Sequence, residues 1–509
     1  MTTIFVPASD PRANRDSRYR PLEPLTQLLP AGHKTGRGKP PLTTPITVTR
    51  DLPIPLRDGT TIYADVYRPA GVTAGIPAIM GWGPYGKGGT GSRLLNGLPQ
   101  KFGVPRSATS GLEAFEAVDP AYWCSHGYAV VQIDPRGVFN SEGDILFQGA
   151  DEGRDGHDAV EFIGTREWCN GKVGLAGNSW LAILQWQIAA TRPPHLAAIA
   201  PWEGATDLYG QTMMRGGIPN TGFASKIRES LYGMNGIEDP VGMLARHPLK
   251  TQYWMDKVAK IEDITAPAYV VASYTNQLHA EGTLEGYGRL SGEKWLRVNN
   301  THEWTDFYDP DNVADLRRFF DHFLRGIDTG WMATPRVRMA VLEPHGSDTV
   351  GRAEDEFPPS RVRSKTLFLD AASSSLTADR VETESLTSYE LAGDAGGQLS
   401  FTYKFEEDTE LIGKASLTAC FEVAGGADLD VYAYLRKRDA TAGSAVTRWW
   451  FCRSPVPNAG CQSSTSAASW ESGSHFMTVR SPCSACPNGN APARVFWRLH
   501  RCPSHQVRL

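Results

Sequence analysis

One ten-residue segment indicates how the chain folds: Val173-Gly174-Leu175-Ala176-Gly177-Asn178-Ser179-Trp180-Leu181-Ala182. A short apolar strand leads through a turn of small residues into a helical pattern. A serine on such a sharp turn has its hydroxyl lifted clear of the sheet, and the N–H of Trp180 points to where an oxyanion would form. The pattern predicts a nucleophile elbow at Ser179, although Leu181 occupies the fifth position where the motif has glycine. A tight turn that needs small neighbours only for packing is the alternative.

The length and composition of the chain limit the number of domains and the kinds of partner that are expected. The 509 residues are too many for one ordinary core, so two or three domains are expected. Hydrophobic residues make up 41% and charged residues 21%, and the net charge of −5 does not favour a nucleic-acid surface. The sequence shows neither a signal peptide nor a membrane span, so we expect a cytoplasmic protein without membrane or nucleic-acid partners.

Strands and helices alternate through the first two thirds of the chain. Such alternation is typical of a mostly parallel sheet covered on both faces. The segment at about 209–264 loses the strand pattern and predicts a helical cap. Strands are predicted at 46–56, 60–67, 77–82, 127–133, 195–200, 268–274 and 294–299, and helices at 153–165, 181–191 and 311–325.

A second domain is expected from about residue 331. Apolar and polar residues alternate strictly at 399–405, 417–423 and 429–435, which indicates antiparallel strands with one wet face. We therefore predict a polar arm at 1–43, an α/β domain at 44–330 and a β jelly roll at 331–445.

Several motifs together resemble the cocaine-esterase and X-Pro dipeptidyl-peptidase group of α/β-hydrolases. The resemblance implies an α/β-hydrolase domain with a helical cap, a C-terminal jelly roll and a serine nucleophile. It covers roughly residues 47–439 and is carried by Leu56-Arg57-Asp58-Gly59-Thr60, Tyr67-Arg68-Pro69, Gly83-Pro84-Tyr85-Gly86-Lys87, Asp134-Pro135-Arg136-Gly137, Trp168-Cys169-Asn170-Gly171-Lys172-Val173-Gly174 and Gly177-Asn178-Ser179-Trp180.

The same resemblance implies roles for individual residues. Ser179 matches the family nucleophile, His302 the catalytic histidine, and Tyr85 with the N–H of Trp180 the oxyanion donors. One position departs from the family, because Asn276 stands where the catalytic acid is expected. Asparagine can help hold an imidazole in its tautomer but cannot stabilise the imidazolium.

A carboxylate near Asn276 could replace the missing acid. The candidates in the sequence are Glu281, Glu303 and Asp306. A Ser-His-Asn arrangement is a second possibility, and a catalytically silent protein is a third.

The remaining conspicuous side chains have ordinary structural interpretations. Arg136 and Asp134 are expected to brace the sheet edge, and His157 and His279 to be structural histidines. Met213 and Met214 could line an acyl pocket or pack in the core. No cluster of His, Asp or Glu has metal-ligand spacing, so neither a catalytic metal nor a cofactor is expected.

The segment 446–509 differs from the rest of the chain. It is rich in Ser, Pro and Cys, and it holds five of the eight cysteines. We interpret it as an anomalous tail, consistent with an artefact of the predicted gene, that leaves the jelly roll truncated. A zinc site built on Cys483 and Cys486 is the weaker alternative, because the spacing does not suit a standard finger.

We expect a serine hydrolase that acts on an ester or amide of a small molecule or short peptide. A homo-oligomer is a candidate assembly. An X-Pro dipeptidyl peptidase is the alternative within the fold. A catalytically weak or silent binding protein is the alternative from another class.

Overall fold

The computed structural model describes residues 2–88, 103–343, 347–383, 385–390, 398–419, 422–424, 433–435, 494–498 and 506–508. The chain divides into two compact units. The first comprises Met1–Arg215, Pro219–Val341 and Thr349–Asp355, and the second comprises Gly216–Ile218, Leu342–Asp348 and Glu356–Leu509. The domain boundary predicted at residue 330 stays a prediction.

The first unit is built on an eleven-stranded mixed sheet. Its strands are β2 (Leu25–Leu29), β3 (Ile46–Pro55), β4 (Thr61–Pro69), β5 (Ile76–Trp82), β6 (Ala129–Asp134), β7 (Cys169–Asn178), β8 (Leu196–Trp202), β12 (Ala268–Ser273), β13 (Lys294–Asn299), β14 (Val337–Val341) and β15 (Thr349–Glu354). Their order is β15-β14-β13-β12-β8-β7-β5-β6-β4-β3-β2.

The centre of this sheet is parallel and its edges are antiparallel. From β6 to β14 neighbouring strands run parallel, whereas β2, β3 and β4 at one edge and β15 at the other run antiparallel. The central strands are buried throughout and mostly apolar, as expected of strands covered on both faces. The predicted α/β-hydrolase fold is confirmed.

Helices pack on both faces of the sheet and fill the connections between its strands. Within the described residues of the first unit, the helices are α1 (Pro120–Ser125), α2 (Ala150–Gly164), α3 (Trp180–Ala190), α4 (Gly222–Ser230), α5 (Pro240–Arg246), α6 (Gln252–Met255), α7 (Ala280–Arg289), α8 (Glu303–Phe307) and α9 (Pro310–Arg325). Short 3-10 helices lie at Arg15–Ser17, Arg106–Ala108, Ile261–Asp263 and Trp331–Ala333.

The segment between β8 and β12 holds the short helices predicted for a cap. A π-helical turn at Tyr209–Met213 precedes α4, α5 and α6, and two short strands, β9 (Met214–Arg215) and β10 (Ile218–Pro219), pair with each other. Met213 is fully buried, so it packs in the core. The polar arm also joins this region, because β1 (Phe5–Pro7) pairs with β11 (Gly236–Glu238).

The second unit contains two small antiparallel sheets. Their strands are β16 (Thr366–Asp370), β17 (Ser375–Thr377), β18 (Leu386–Glu390), β19 (Ser416–Thr418), β20 (Glu422–Ala424), β21 (Arg494–Arg498) and β22 (Gln506–Arg508), in the orders β17-β16-β22-β19 and β18-β21-β20.

The predicted strands of this unit are only partly present. Residues 399–405 contain an isolated bridge at Thr402, although Leu399, Phe401 and Tyr403 pack on the core of this unit. The strand predicted at 429–435 lies largely outside the described residues. The described parts of the predicted tail form β21 and β22, and most of residues 446–509, with Cys483 and Cys486, lie outside them. The jelly roll and its boundaries stay predictions.

Substitution of Phe319 tests how α9 packs against the sheet. Its side chain is fully buried, and its ring lies 5.1 Å from that of Trp331 and 5.8 Å from that of Tyr269. Because truncation leaves a cavity in addition to lost contacts, Phe319→Ala should lower the free energy of unfolding by about 3–5 kcal/mol in urea titrations. Phe223→Ala is the control, since Phe223 is 43% exposed on α4. Equal losses in the two variants would contradict this description of the core.

Candidate active site

Ser179 occupies a strained turn between β7 and α3. Its backbone has φ 55° and ψ −119°, a region that residues other than glycine seldom adopt. Trp180 is the first residue of α3, so its N–H has no partner within the helix and is available to a ligand. This is the geometry that the sequence predicts for a nucleophile elbow.

The unusual Leu181 is accommodated by glycines in the turn after β5 and on β7. A Cβ at Gly83 would lie 2.3 Å from Leu181 Cδ1. Gly177 leaves space on the other side, where a Cβ would come within 2.6 Å of Leu181 Cβ. The glycine absent from the fifth position of the motif is therefore compensated elsewhere.

Two glutamate carbonyls hold the elbow. Asn178 N–H donates to Glu116 O and Ser179 N–H donates to Glu203 O, each at 3.1 Å. Both glutamates also have positive φ, 63° in each case. Because such backbone conformations cost of order 1 kcal/mol or more each, they persist only where surrounding contacts fix them, as these hydrogen bonds do.

An imidazole lies within hydrogen-bond distance of the serine hydroxyl. His279 Nε2 is 2.9 Å from Ser179 Oγ. His279 occupies the N-cap position of α7 and is 4% exposed. Burial lowers the pKa of His279 to about 3, so the ring is neutral near pH 7. The sequence predicts only a structural role for His279, so that prediction misses this contact with Ser179.

His302 makes a different contact. It caps the start of α8, where its Nδ1 accepts the N–H of Trp304 at 3.3 Å, and its ring meets that of Trp304 at 4.9 Å. Desolvation lowers the pKa of His302 to about 4. In the neutral ring the proton then resides on Nε2, since the Nδ1 lone pair is occupied. The catalytic role of His302 stays a prediction.

Asn276 lies between two glutamate carboxyl groups. Its Nδ2 donates to Glu203 Oε2 and to Glu303 Oε2, each at 2.6 Å, and its Oδ1 accepts the N–H groups of Leu278 and His279. An amide nitrogen has two protons to donate, whereas an aspartate has none. The departure from the family at position 276 therefore has a local physical reason.

Three glutamates converge on the elbow with unusual electrostatics. Burial raises the pKa of Glu303 to about 8, and it raises the pKa values of Glu203 and Glu116 well above their usual range. Glu116 Oε1 accepts the indole N–H of Trp304 at 3.1 Å. Burial thus favours the protonated form of each of these carboxyl groups. Glu303 is one of the carboxyl groups that the sequence predicts near Asn276, whereas Glu116 and Glu203 belong to no motif and were missed.

The other two candidate acids interact with arginines. Asp306 is bound in a bidentate manner by Arg297, at 2.6 and 2.5 Å. Glu281 lies in the first turn of α7, close enough to Arg215 to favour its charged form. Among the residues that the structure describes, no group of three His, Cys, Asp or Glu side chains could hold a metal ion.

Tyr85 reaches the serine from the turn after β5. Its hydroxyl is hydrogen-bonded to the Ser179 side chain, and burial raises the pKa of Tyr85 well above its usual range, so the group stays a proton donor. Lys87 secures this turn: its Nζ lies 2.7 Å from Asp51 Oδ1, and its N–H donates to Asp134 Oδ1 at 2.6 Å. Arg136 braces a neighbouring turn through Asp155 at 2.7 Å.

The fold and the elbow define an α/β-hydrolase with a serine at the nucleophile position. Residues 58–240 match the family model of X-Pro dipeptidyl-peptidase (S15 family), and residues 329–473 match that of the X-Pro dipeptidyl-peptidase C-terminal non-catalytic domain. These matches confirm the resemblance to the cocaine-esterase and X-Pro dipeptidyl-peptidase group that the motifs predicted.

Individual relatives support this assignment. A cocaine esterase from Rhodococcus sp. is 34% identical over 32% of this chain and 25% of its own length. A putative serine esterase from Mycobacterium bovis is 30% identical over 38% of this chain and 31% of its own length, so the chain spans less than a third of these curated relatives. A CocE/NonD family hydrolase from Staphylococcus aureus is similar in structure, with a TM-score of 0.68 and 27% identity over 76% of this chain and 68% of that one.

The glutamate cluster predicts a dependence of stability on pH. Glu303 has its pKa raised to about 8 in the folded protein, against about 4.3 in an unfolded chain. The contribution of Glu303 to the free energy of unfolding is fully present below its pKa in the unfolded chain. It is lost as the pH rises through the folded-state pKa of about 8. The urea midpoint of the wild type should therefore fall between pH 5.5 and pH 8, and Glu303→Gln should make that fall smaller. The exposed Glu167→Gln is the control; an unchanged fall in Glu303→Gln would argue against a protonated Glu303.

Proposed function

We propose that the protein is a serine hydrolase that cleaves an ester or amide through an acyl-enzyme at Ser179. The observation that carries this proposal is a serine on a strained elbow whose hydroxyl contacts both an imidazole and a tyrosine hydroxyl. The S15 family match and the esterase-named relatives support it.

The residues around Ser179 have complementary tasks in this reaction. Ser179 Oγ attacks the acyl carbonyl while an imidazole takes its proton. Two histidines are candidates for that step: His302, at the position which the resemblance assigns, and His279, whose ring is on Oγ. Tyr85 and the N–H of Trp180 donate to the oxygen of the tetrahedral intermediate, where negative charge develops. Water then releases the acid.

The proposed substrate is a small-molecule ester or amide, or a short peptide. We also propose a cytoplasmic location, and a homo-oligomer is the candidate assembly. Within the described residues no helix is long and apolar enough to cross a membrane. The cytoplasmic location rests on the sequence alone.

Labelling of Ser179 tests the proposal. A fluorophosphonate probe should label the wild type, and p-nitrophenyl acetate should be hydrolysed, because both reactions need an activated serine. Ser179→Ala should reduce both to the background without protein. Ser107→Ala is the control, since Ser107 is exposed in the same unit. A folded wild type that neither reacts nor turns over ester would favour a silent binding protein.

The glutamate cluster favours a second candidate, an X-Pro dipeptidyl peptidase. Such an enzyme needs acidic groups for the free amine of its substrate, and Glu203 and Glu303 lie around Asn276 beside the elbow. A bound ammonium group would favour ionisation of these carboxyls by direct charge pairing.

Substrates with free and blocked amines separate the two candidates. A dipeptidyl peptidase should cleave glycyl-prolyl-p-nitroanilide at least ten times faster than its N-acetyl derivative, and Glu203→Gln should remove that preference. Glu229→Gln is the matched control, because the Glu229 side chain is 70% exposed. Ester hydrolysis without cleavage of either peptide would exclude the second candidate.

A further inference from the structure

We infer that His279, rather than the histidine at position 302, is the general base for Ser179. The inference rests on the proposed function, since it concerns the same serine. It departs from the assignment that the family resemblance implies, and it makes His279 a catalytic residue because its ring touches the reacting atom.

The backbone around His279 is fixed to the same framework that holds the elbow. The His279 N–H donates to Asn276 Oδ1 at 3.2 Å. His279 O accepts both the N–H and the hydroxyl of Thr283, each at 2.9 Å, and Thr283 Oγ1 accepts the N–H of Gly204, also at 2.9 Å. Gly204 directly follows Glu203, whose carbonyl binds the elbow. The first turn of α7 is thus tied to the segment that positions Ser179.

The two histidines differ in which nitrogen can accept a proton. His302 uses its Nδ1 lone pair to cap α8, so the neutral ring carries its proton on Nε2 and offers no lone pair there. To act as a base through Nε2 it would have to give up the cap. His279 has Nε2 directed at Ser179 Oγ, and a proton on Nδ1 leaves the Nε2 lone pair free to accept.

Among the described residues, no carboxylate is hydrogen-bonded to the His279 ring. Its Nδ1 is buried without a hydrogen-bond partner there. Asn276 holds the His279 backbone rather than its ring, so Asn276 is a positioning residue. The catalytic unit is therefore a serine–histidine dyad, in which the imidazolium lacks the carboxylate that a triad supplies.

The proton follows a complete cycle in this dyad. As the Oγ–C bond forms, the Ser179 proton moves to His279 Nε2 and the carbonyl electron pair moves to oxygen. The electron pair on the oxygen then re-forms the carbonyl double bond, and the leaving group departs with the proton from His279 Nε2. In the second half, water attacks the acyl carbon and gives a proton to His279 Nε2, which passes it to Ser179 Oγ as the acid leaves.

Paired substitutions test this assignment. His279→Gln should slow fluorophosphonate labelling and ester turnover by about 10²- to 10⁴-fold, the range that general-base catalysis contributes. His302→Gln should change both by less than tenfold. Loss in His302→Gln alone, or equal loss in both variants, would overturn the inference. A wild type that is not labelled would instead contradict the proposed serine mechanism.

A second measurement does not depend on the folding of His279→Gln. Ring nitrogen NMR spectra of ¹⁵N-histidine-labelled protein, before and after fluorophosphonate labelling, identify the imidazole beside the modified serine. The signals that shift should be retained in His302→Gln if His279 is the base. Their disappearance in His302→Gln would overturn the inference.

Discussion

The active-site region depends on two backbone hydrogen bonds, those from Asn178 and Ser179 to the carbonyls of Glu116 and Glu203. They fix a serine conformation that an L-residue otherwise avoids. The glutamates that provide the carbonyls come from separate segments, one before α1 and one after β8. The strain at the serine is therefore supported by the tertiary structure and not by the local sequence alone.

The same two glutamates bring their carboxyl groups into a buried region beside the nucleophile. A third, Glu303, joins them through the amide of Asn276. Isolated carboxylates are costly to bury, and protonation together with donation from a neutral amide reduces that cost. An aspartate at position 276 would add another negative group to this cluster. The asparagine is thus consistent with its surroundings, although it departs from the usual acid of the family.

Local signals predicted much of the fold. β5, β6, β7 and β12 each contain a short apolar run bounded by turn residues, and the elbow and the Tyr85 turn follow directly from such runs. The contribution of Glu116 was not predictable, because its segment has only weak patterning. The sequence also does not distinguish His279 from His302, because each follows the carboxyl end of one of two neighbouring strands. Only the tertiary placement of α7 and α8 determines which ring contacts Ser179.

A crystal structure of the protein after reaction with diethyl p-nitrophenyl phosphate would test the central claim most directly. We expect phosphorus bonded to Ser179 Oγ, with His279 Nε2 at hydrogen-bond distance from the adduct and the phosphoryl oxygen facing Tyr85 and the N–H of Trp180. An unmodified Ser179 with phosphorus on another residue would contradict the serine mechanism.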